Sequence, residues 1–307
     1  IANPHGFISG HTLPDHGILL QHGIAELRRR VRSRVDGAVA SDRRHEWLAM
    51  DRCLEGLSNH CLVCADVARE TAERVDVLRL KARLLEAADN CEHLATEPPQ
   101  TFVEALQLLH FSNFADMMDC PGDAASFGRI DQFLWPFYSA DLAEDRITRA
   151  EAFELVAHFL IKHWTNQDSN NMTVGGLTPE GEDATSALSG MFLEAMEATE
   201  MVSDISVRLH RDSPPDFVRT VTRVVRRSFG RPSLFNDDVM IPALTRQGIA
   251  LEDARDYAPM GCVEVMIPGR TAFRTMGMGL NLPKVFELTL NEGRCLVTGD
   301  TVWDDVP

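Results

Sequence analysis

Tyr257-Ala-Pro-Met-Gly-Cys-Val-Glu-Val265 places a thiol two residues from a carboxylate. Gly261 has no side chain beside the thiol, so the backbone is free to turn sharply or to approach a ligand closely. In an extended segment residues i and i+2 point to one side, so we expect Cys262 and Glu264 to face the same small molecule. The alternative is a buried cysteine followed by an exposed glutamate, because free cysteine is among the most buried residue types. From spacing alone, this alternative is the better supported.

The motifs around the pair favour a catalytic interpretation instead. In chain order they are Gly10-His-Thr-Leu-Pro-Asp15, Ser126-Phe-Gly-Arg-Ile-Asp-Gln132, Thr173-Val-Gly-Gly176, Ile205-Ser-Val-Arg-Leu209, Gly230-Arg-Pro-Ser-Leu-Phe-Asn-Asp-Asp238, Gly261-Cys-Val-Glu264, Ile267-Pro-Gly-Arg-Thr271 and Asn281-Leu-Pro-Lys-Val-Phe-Glu-Leu288. Together they resemble the glycyl radical enzymes related to pyruvate formate-lyase, and in particular their Gly-Cys-Val-Glu branch of radical dehydratases and lyases. The resemblance runs from about Gly10 to about Gly299, and the joint order of the motifs carries it.

Composition narrows the classes of partner. The formal charge of −16 argues against nucleic acid or an anionic membrane as a partner, since both favour basic patches. The sequence contains no run of about 18 apolar residues, so we expect no transmembrane helix. The seven cysteines are an odd number in a chain too large to need disulfides, which favours a reducing cytoplasm. For Cys61-Leu-Val-Cys64 we expect a structural role rather than a metal site, because no second ligand pair accompanies it.

Periodicity predicts a helical first half and an alternating second half. Helical patterns cover 18–35, 67–85, 102–118 and 149–163. Strands predicted at 172–177, 204–210 and 233–236 alternate with helices at 184–200, about 215–230 and 241–248, and a helical turn at 253–257 follows. This order predicts parallel βαβ units. The chain therefore predicts an α/β fold with a helical front half.

The resemblance implies a more specific architecture. It implies part of a ten-stranded α/β barrel of the glycyl radical enzyme type, with the cysteine loop threaded into its centre. We expect residues 1–307 to form a single partial pyruvate formate-lyase-like domain, with a helical part of about 1–165 and a barrel part of about 166–307. The family's glycine motif, Arg-Val-x-Gly followed by an aromatic residue, does not occur in this sequence, so we expect the glycyl radical domain to be absent.

The resemblance also implies roles for the pair. Cys262 matches the cysteine that becomes a thiyl radical and removes a hydrogen atom from a substrate C–H bond. Glu264 matches the general base that takes the hydroxyl proton of the carbon radical, which favours loss of water, an amine or sulfite from a small hydroxylated substrate. No cofactor or metal is expected in this chain. The parent protein would need a glycyl radical installed by an S-adenosylmethionine iron–sulfur activating enzyme.

Three further residues are candidate substrate contacts. His11 resembles a histidine that protonates the leaving hydroxyl in related dehydratases, and an imidazole suits that task near pH 7. The alternative for His11 is a histidine at a helix entry. Asp123 matches a position that contacts substrate in several relatives; the alternative is a turn aspartate that binds nearby backbone N–H groups. Arg274 is the third candidate.

Arg274 stands where the sequence departs from the glycerol-type dehydratases. Those enzymes have a His-Asp pair about a dozen residues after the cysteine, whereas this chain has Thr275 and Met276 there, and methionine cannot replace a carboxylate in hydrogen bonding. Arginine suits bidentate recognition of carboxylate or sulfonate. Arg270 recurs across the family, so Arg274 is the more discriminating residue. We expect a small hydroxylated substrate that is anionic rather than glycerol.

Polar residues between the predicted elements have structural interpretations as well. Arg129, Asp131 and Gln132 fit a buried ion pair or hydrogen-bond network as well as a functional role. For Asp168, Asn170 and Asn171 we expect a solvated loop; the alternative is a polar loop that faces the site.

The chain is interpreted as a fragment of a glycyl radical dehydratase or lyase, inactive alone. The resemblance implies a homodimer, the activating enzyme as a partner, and the cytoplasm of an anaerobic bacterium or archaeon. The alternatives are a non-catalytic truncated binding or assembly module with a relic site, and an arylacetate-type radical decarboxylase.

Overall fold

The structure is a computed structural model that describes residues 2–3, 9–10, 12–37, 41–119, 124–165, 170–200, 204–227, 230–271, 274–275 and 279–302. The chain is divided into two compact units. One comprises His11–Ala272, and the other combines Ile1–Gly10 with Phe273–Pro307.

Helices and strands occupy the following ranges. The helices are α1 (His16–Gly37), α2 (Ser41–Glu73), α3 (Leu78–Thr96), α4 (Phe102–Asp119), α5 (Ile130–Ala143), α6 (Arg149–Thr165), α7 (Ala187–Thr199), α8 (Pro215–Arg227), α9 (Asp237–Arg246), α10 (Leu251–Arg255) and α11 (Leu282–Leu290). The strands are β1 (Ala2–Asn3), β2 (Ser9–Gly10), β3 (Met172–Gly175), β4 (Ile205–Leu209), β5 (Ser233–Asn236), β6 (Ala258–Met260), β7 (Glu264–Met266), β8 (Arg274–Thr275) and β9 (Gly279–Leu280).

The first half is helical, as the periodicity predicts, but the pattern over 67–85 contains a break. α2 ends at Glu73 and α3 begins at Leu78, and Arg69 forms ion pairs with Asp89 and Glu92 across the two helices. The prediction of continuous helix is wrong here because α2 and α3 lie antiparallel, and the chain must turn between them. Cys61 faces the core of this pair, and the Cys64 Sγ lies 3.6 Å from the His60 imidazole.

Helix α5 has no counterpart in the sequence prediction. It contains Pro136, which usually marks a helix boundary, yet the helix continues to Ala143. Its buried residues Ile130, Leu134 and Tyr138 join the main core, so tertiary burial outweighs the local signal.

The second half contains the predicted parallel βαβ units. β3, β4 and β5 form a parallel sheet in that order, connected through α7 and α8. Because strand residues alternate between faces, Val174 and Val207 pack into the core with Leu188 of α7 and Val221 of α8. The opposite face carries the polar residues Thr173, Ser206 and Arg208, all buried. The prediction of an α/β chain with a helical front half is confirmed.

The smaller unit is built on two short antiparallel pairs. β1 pairs with β9, and β2 pairs with β8 so that Gly10 lies opposite Arg274. Asn281 caps α11 by accepting a hydrogen bond from the Lys284 N–H. Within the ranges given above, no helix is long and apolar enough to cross a lipid bilayer.

Candidate active site

The Gly-Cys-Val-Glu motif folds as the tip of a β-hairpin. β6 and β7 are antiparallel, with Ala258 opposite Met266 and Met260 opposite Glu264. Gly261, Cys262 and Val263 form the three-residue turn between them. Gly261 has φ +53°, a left-handed conformation that favours glycine, so its missing side chain serves the turn as predicted.

The extended conformation expected for Cys262 is wrong. The strand begins again only at Glu264, because the turn must reverse the chain before the return strand starts. Cys262 is exposed at the tip, and Glu264 is half-buried at the first position of β7. The Glu264 carboxylate accepts a hydrogen bond of 3.1 Å from the Val263 N–H. Thiol and carboxylate are therefore neighbours across a turn rather than along a strand.

A buried ion pair holds the base of this hairpin. Arg208 of β4 donates to both carboxylate oxygens of Asp237, at 2.9 and 2.8 Å. The same guanidinium donates to the carbonyls of Tyr257 at 2.8 Å and Arg255 at 2.7 Å, the residues that lead into β6. The Tyr257 hydroxyl donates to Asp237 at 2.8 Å, and burial raises the Tyr257 pKa. We call Arg208, Asp237 and Tyr257 the base anchor.

The Arg208 guanidinium is closely packed on two sides. The Arg208 guanidinium carbon lies 3.9 Å from the centre of the Tyr257 ring, a cation–π contact. At Gly176, φ is +83° and a Cβ atom would lie 2.6 Å from the Arg208 Nε. The glycine therefore permits both the backbone conformation and the close approach of the guanidinium.

Two neutral side chains hold the tip of the hairpin. The Gly261 N–H donates to the Ser126 hydroxyl at 2.9 Å. The Asn171 carboxamide donates to the Gly261 carbonyl at 3.1 Å. We call Ser126 and Asn171 the tip anchor. Both residues are buried, so the expectation of a solvated loop is wrong for Asn171, and it is wrong for the buried Asn170 as well. Asp168 lies outside the described residues.

Sequence reasoning missed the tip anchor, because no local signal identifies its partner. Ser126 opens the Ser-Phe-Gly-Arg-Ile-Asp-Gln motif, and Asn171 directly precedes β3. A buried polar side chain needs a hydrogen-bond partner. That partner, the Gly261 peptide, lies 90 residues further along the chain from Asn171 and is invisible to local patterns.

The remaining predicted contacts are only partly described. His11 and Asp123 lie outside the described residues. The backbone of Arg274 pairs with Gly10, the residue that precedes His11. Arg270 is largely exposed, and its guanidinium lies 3.5 Å from the Asp253 carboxylate.

The Arg-Ile-Asp-Gln segment makes structural contacts. Arg129 donates to Asp256 at 3.0 Å, and burial lowers the Arg129 pKa. Asp131 accepts from the Gly175 N–H at 2.8 Å and from the Ser189 hydroxyl, while burial raises the Asp131 pKa. Gln132 donates to the Ala184 carbonyl at 2.7 Å. These bonds fix α5 to β3 and α7. In the described part of the chain, no group of three or more His, Cys, Asp or Glu side chains is arranged to hold a metal ion.

Fold and site together define an α/β protein built around a hairpin that presents a cysteine. The model of the pyruvate formate lyase-like family matches residues 2–307. The chain therefore belongs to the pyruvate formate lyase-like family of glycyl radical enzymes.

Similar proteins include two curated lyases and a solved dehydratase. The chain is 32% identical over 281 residues to the (2S)-3-sulfopropanediol dehydratase of Klebsiella oxytoca, which covers 86% of this chain and 34% of that protein. It is 31% identical over 277 residues to the isethionate sulfite-lyase of Nitratidesulfovibrio vulgaris, covering 83% of this chain and 32% of that protein. The structure matches the glycerol-bound form of the B12-independent glycerol dehydratase from Clostridium butyricum with a TM-score of 0.85 at 29% identity, covering 96% of this chain and 39% of that one.

These similarities confirm the predicted family resemblance and the predicted barrel type of fold. The chain spans about a third of the length of the curated relatives it matches.

Proposed function

We propose that the parent protein of this chain is a glycyl radical lyase in which Cys262 abstracts a hydrogen atom and Glu264 accepts a proton. The observation that carries the proposal is the turn itself. It presents an exposed thiol at the tip of a hairpin anchored at both ends, with a carboxylate at the first position of the return strand. Membership of the family supports this assignment.

The elimination balances with these two groups. The Cys262 thiyl radical takes the hydrogen atom from a carbon that bears a hydroxyl, so an S–H bond forms and the C–H bond breaks. Glu264 takes the hydroxyl proton, and the resulting ketyl expels the leaving group from the neighbouring carbon together with its bonding electron pair. The product radical then takes the hydrogen atom back from Cys262, which regenerates the thiyl radical, and the proton held by Glu264 passes to the expelled group or to solvent.

Cys262 is suited to receive a radical from elsewhere in the parent protein because its turn is exposed in this chain. A stored glycyl radical would supply the unpaired electron by removing the thiol hydrogen atom. In this proposal the glycine lies in another part of the parent protein, and residues 1–307 form part of a single domain. An S-adenosylmethionine iron–sulfur enzyme activates it, and the parent works as a homodimer in the cytoplasm of an anaerobe.

The proposed substrate is a small hydroxylated sulfonate or carboxylate. Two observations support an anion: the arginine at position 274, paired through its backbone with the segment that leads into His11, and two relatives named for sulfonates. In this proposal His11 and Asp123 contact the hydroxyl and leaving-group end of the substrate, and Arg274 binds the anionic end.

The test uses the activated full-length protein with the variants Cys262→Ser and Glu264→Gln. Cys262→Ser should abolish product while leaving the glycyl signal in the electron paramagnetic resonance spectrum. Glu264→Gln should lower kcat by about 10²–10⁴-fold, the range typical of a lost general base. Product is measured with hydroxylated sulfonates and with neutral diols in parallel.

Cys53→Ser is the matched control, because Cys53 is also exposed but lies on α2. It should keep full activity. Turnover by Cys262→Ser, or the absence of any glycyl signal in the activated wild-type protein, would refute the radical assignment. Turnover of neutral diols without turnover of sulfonates or carboxylates would refute the anionic substrate alone.

A further inference from the structure

The two peptide groups that flank Gly261 are each held by a side chain from another part of the fold. The Gly261 N–H belongs to the peptide that joins it to Met260, and Ser126 accepts its hydrogen bond at 2.9 Å. The Gly261 carbonyl belongs to the peptide that joins it to Cys262, and Asn171 donates to it at 3.1 Å. Fixing both peptide planes fixes φ and ψ of Gly261, which are the last two soft dihedrals before the cysteine.

The tip anchor is itself rigid. The Asn171 N–H donates to the Ser126 hydroxyl at 3.3 Å, and the Phe127 N–H donates to the Asn171 carbonyl at 2.8 Å. Gly128 and Met172 then form a parallel β-bridge, so the anchor is attached to the start of β3. The Ser126 hydroxyl thus accepts two backbone N–H groups, which occupies both of its acceptor sites. Ser126 and Asn171 are 0% and 1% exposed, which restricts their rotamers.

On its other side the turn is exposed, and the Val263 N–H donates to the Glu264 carboxylate at 3.1 Å. Cys262 and Val263 are both exposed, and glycine at the preceding position is the residue type with the most backbone freedom. Without the tip anchor, Gly261 would act as a hinge for the thiol. A displacement of the reacting atom by about 1 Å can cost about 10²-fold in rate, because reacting atoms must start about 3–3.5 Å apart.

We propose that Ser126 and Asn171 are positioning residues for the hydrogen-atom transfer. They set the location of the Cys262 sulfur by clamping the two peptides that flank Gly261. This inference rests on the proposed radical function for its catalytic part, whereas the clamp itself is a property of this chain.

The clamp is tested first on the 307-residue chain by hydrogen exchange of the Gly261 amide. Ser126→Ala should accelerate this exchange by about tenfold. It removes a hydrogen bond whose net contribution is about 1.4 kcal/mol, the free energy that corresponds to a tenfold change. The matched control is Ser206→Ala. Ser206 is equally buried, but its hydroxyl has no hydrogen-bond partner among the described residues, so the Gly261 exchange rate should not change.

Asn171→Ala provides a second variant should Ser126→Ala fold poorly. It removes the donor to the Gly261 carbonyl and should also accelerate exchange in the turn. Gln132→Ala is its control, because Gln132 is a half-buried carboxamide that donates to the Ala184 carbonyl at 2.7 Å instead. If neither anchor variant differs from its control in the exchange of Gly261, the clamp is refuted.

The positioning role is tested in the activated full-length protein. Ser126→Ala should lower kcat by about ten- to a hundredfold while KM stays within about twofold and the glycyl radical content is unchanged. Ser126→Thr, which retains a hydroxyl, should restore most of kcat, whereas Ser206→Ala should behave as wild type. A merely structural role would lower the amount of active protein and with it the glycyl radical content, so kcat per radical would stay at the wild-type value.

The outcomes separate the two proposals. Accelerated exchange with unchanged kcat would refute the positioning role and leave the clamp standing. A wild-type protein without radical activity would refute the proposed function together with the catalytic role of the anchor, and the exchange rates would still decide whether the clamp exists.

Discussion

The two ends of the cysteine hairpin are held by different chemistry. At the base anchor, Arg208 and Asp237 are both fully buried charges joined by two hydrogen bonds, and the guanidinium also donates to two backbone carbonyls. At the tip anchor, the contacts are a hydroxyl and a carboxamide bound to one glycine. The charged anchor therefore lies at the end of the hairpin away from the thiol, and the neutral anchor lies beside the thiol.

This difference suits the tasks of the two ends. A buried ion pair is costly to assemble but very costly to break, so it fixes which segments meet. Neutral hydrogen bonds contribute less to stability, about 0.5–1.5 kcal/mol each, yet they set distances equally well. A neutral anchor also keeps an extra charge away from the carbon where the proposed ketyl develops. The base anchor specifies the fold, and the tip anchor specifies the position of one atom.

Breaking the base anchor should give the largest effect. Arg208→Met leaves the Asp237 carboxylate buried without its cation, which should lower the free energy of unfolding by about 3–5 kcal/mol. Urea denaturation of the chain at neutral pH measures the loss.

Arg223→Met is the control for this experiment. Arg223 pairs with Glu197 at 3.0 Å, but its side chain is 51% exposed, so its loss should cost at most about 1 kcal/mol. Equal losses in the two variants would show that the base anchor contributes no more than a surface pair.

Sequence patterns predict the base of the hairpin better than its tip. The alternation of strands and helices predicts β3, β4 and β5, and the Gly-Cys-Val-Glu motif identifies the turn. Arginine in a buried strand requires a buried partner, and aspartate directly follows the next strand at position 237. Parallel strands bring such residues together at one edge of the sheet, so this pairing was within reach of sequence reasoning.

The tip lies beyond that reach for a physical reason. The interaction of Ser126 with Gly261 joins residues 135 positions apart, and a hydroxyl that accepts backbone N–H groups has no charge or periodicity that a pattern reveals. The same limit explains the wrong expectation of solvent around Asn170 and Asn171, since polarity predicts exposure unless the partner is known. Helix α5 was missed because Pro136 signals a break that core burial overrides.

Acid should destabilise the fold through a buried histidine, His16. His16 is buried, its ring centre 5.6 Å from that of Phe127, and burial lowers the pKa of His16 to about 4 against the opposing backbone contact with Ser126. The unfolded chain, with an imidazole pKa near 6.5, takes up this proton first. The stabilisation is therefore complete above about pH 6.5 and is lost as the pH falls toward 4.

Replacing His16 isolates its share of this acid sensitivity. Burial also lowers the pKa of His163 to about 3 and that of His110 to about 4, and the charge of Lys162 contributes to both shifts. These two histidines destabilise the fold in acid in the same way, and they remain in the variant. His16→Leu should reduce the fall in unfolding free energy between pH 7 and pH 5 by about 2 kcal/mol. His45→Leu, at an exposed position on α2, is the control, and an equal change in the two variants would contradict the role of burial.

The smallest expected effect is the coupling between the two anchors. Tyr257→Phe removes one hydrogen bond to Asp237, and Ser126→Ala removes the acceptor of the Gly261 N–H; the two changes share no hydrogen-bond partner. Their effects on unfolding free energy should add to within about 0.5 kcal/mol. Tyr257→Phe combined with Arg208→Met is the positive control. Because both side chains bind Asp237, the effects of these two substitutions should deviate from additivity by more than about 0.5 kcal/mol. Equal deviation in the two cycles would mean that the hairpin transmits strain between its ends. In that case the tip anchor would not set the position of the thiol independently of the base.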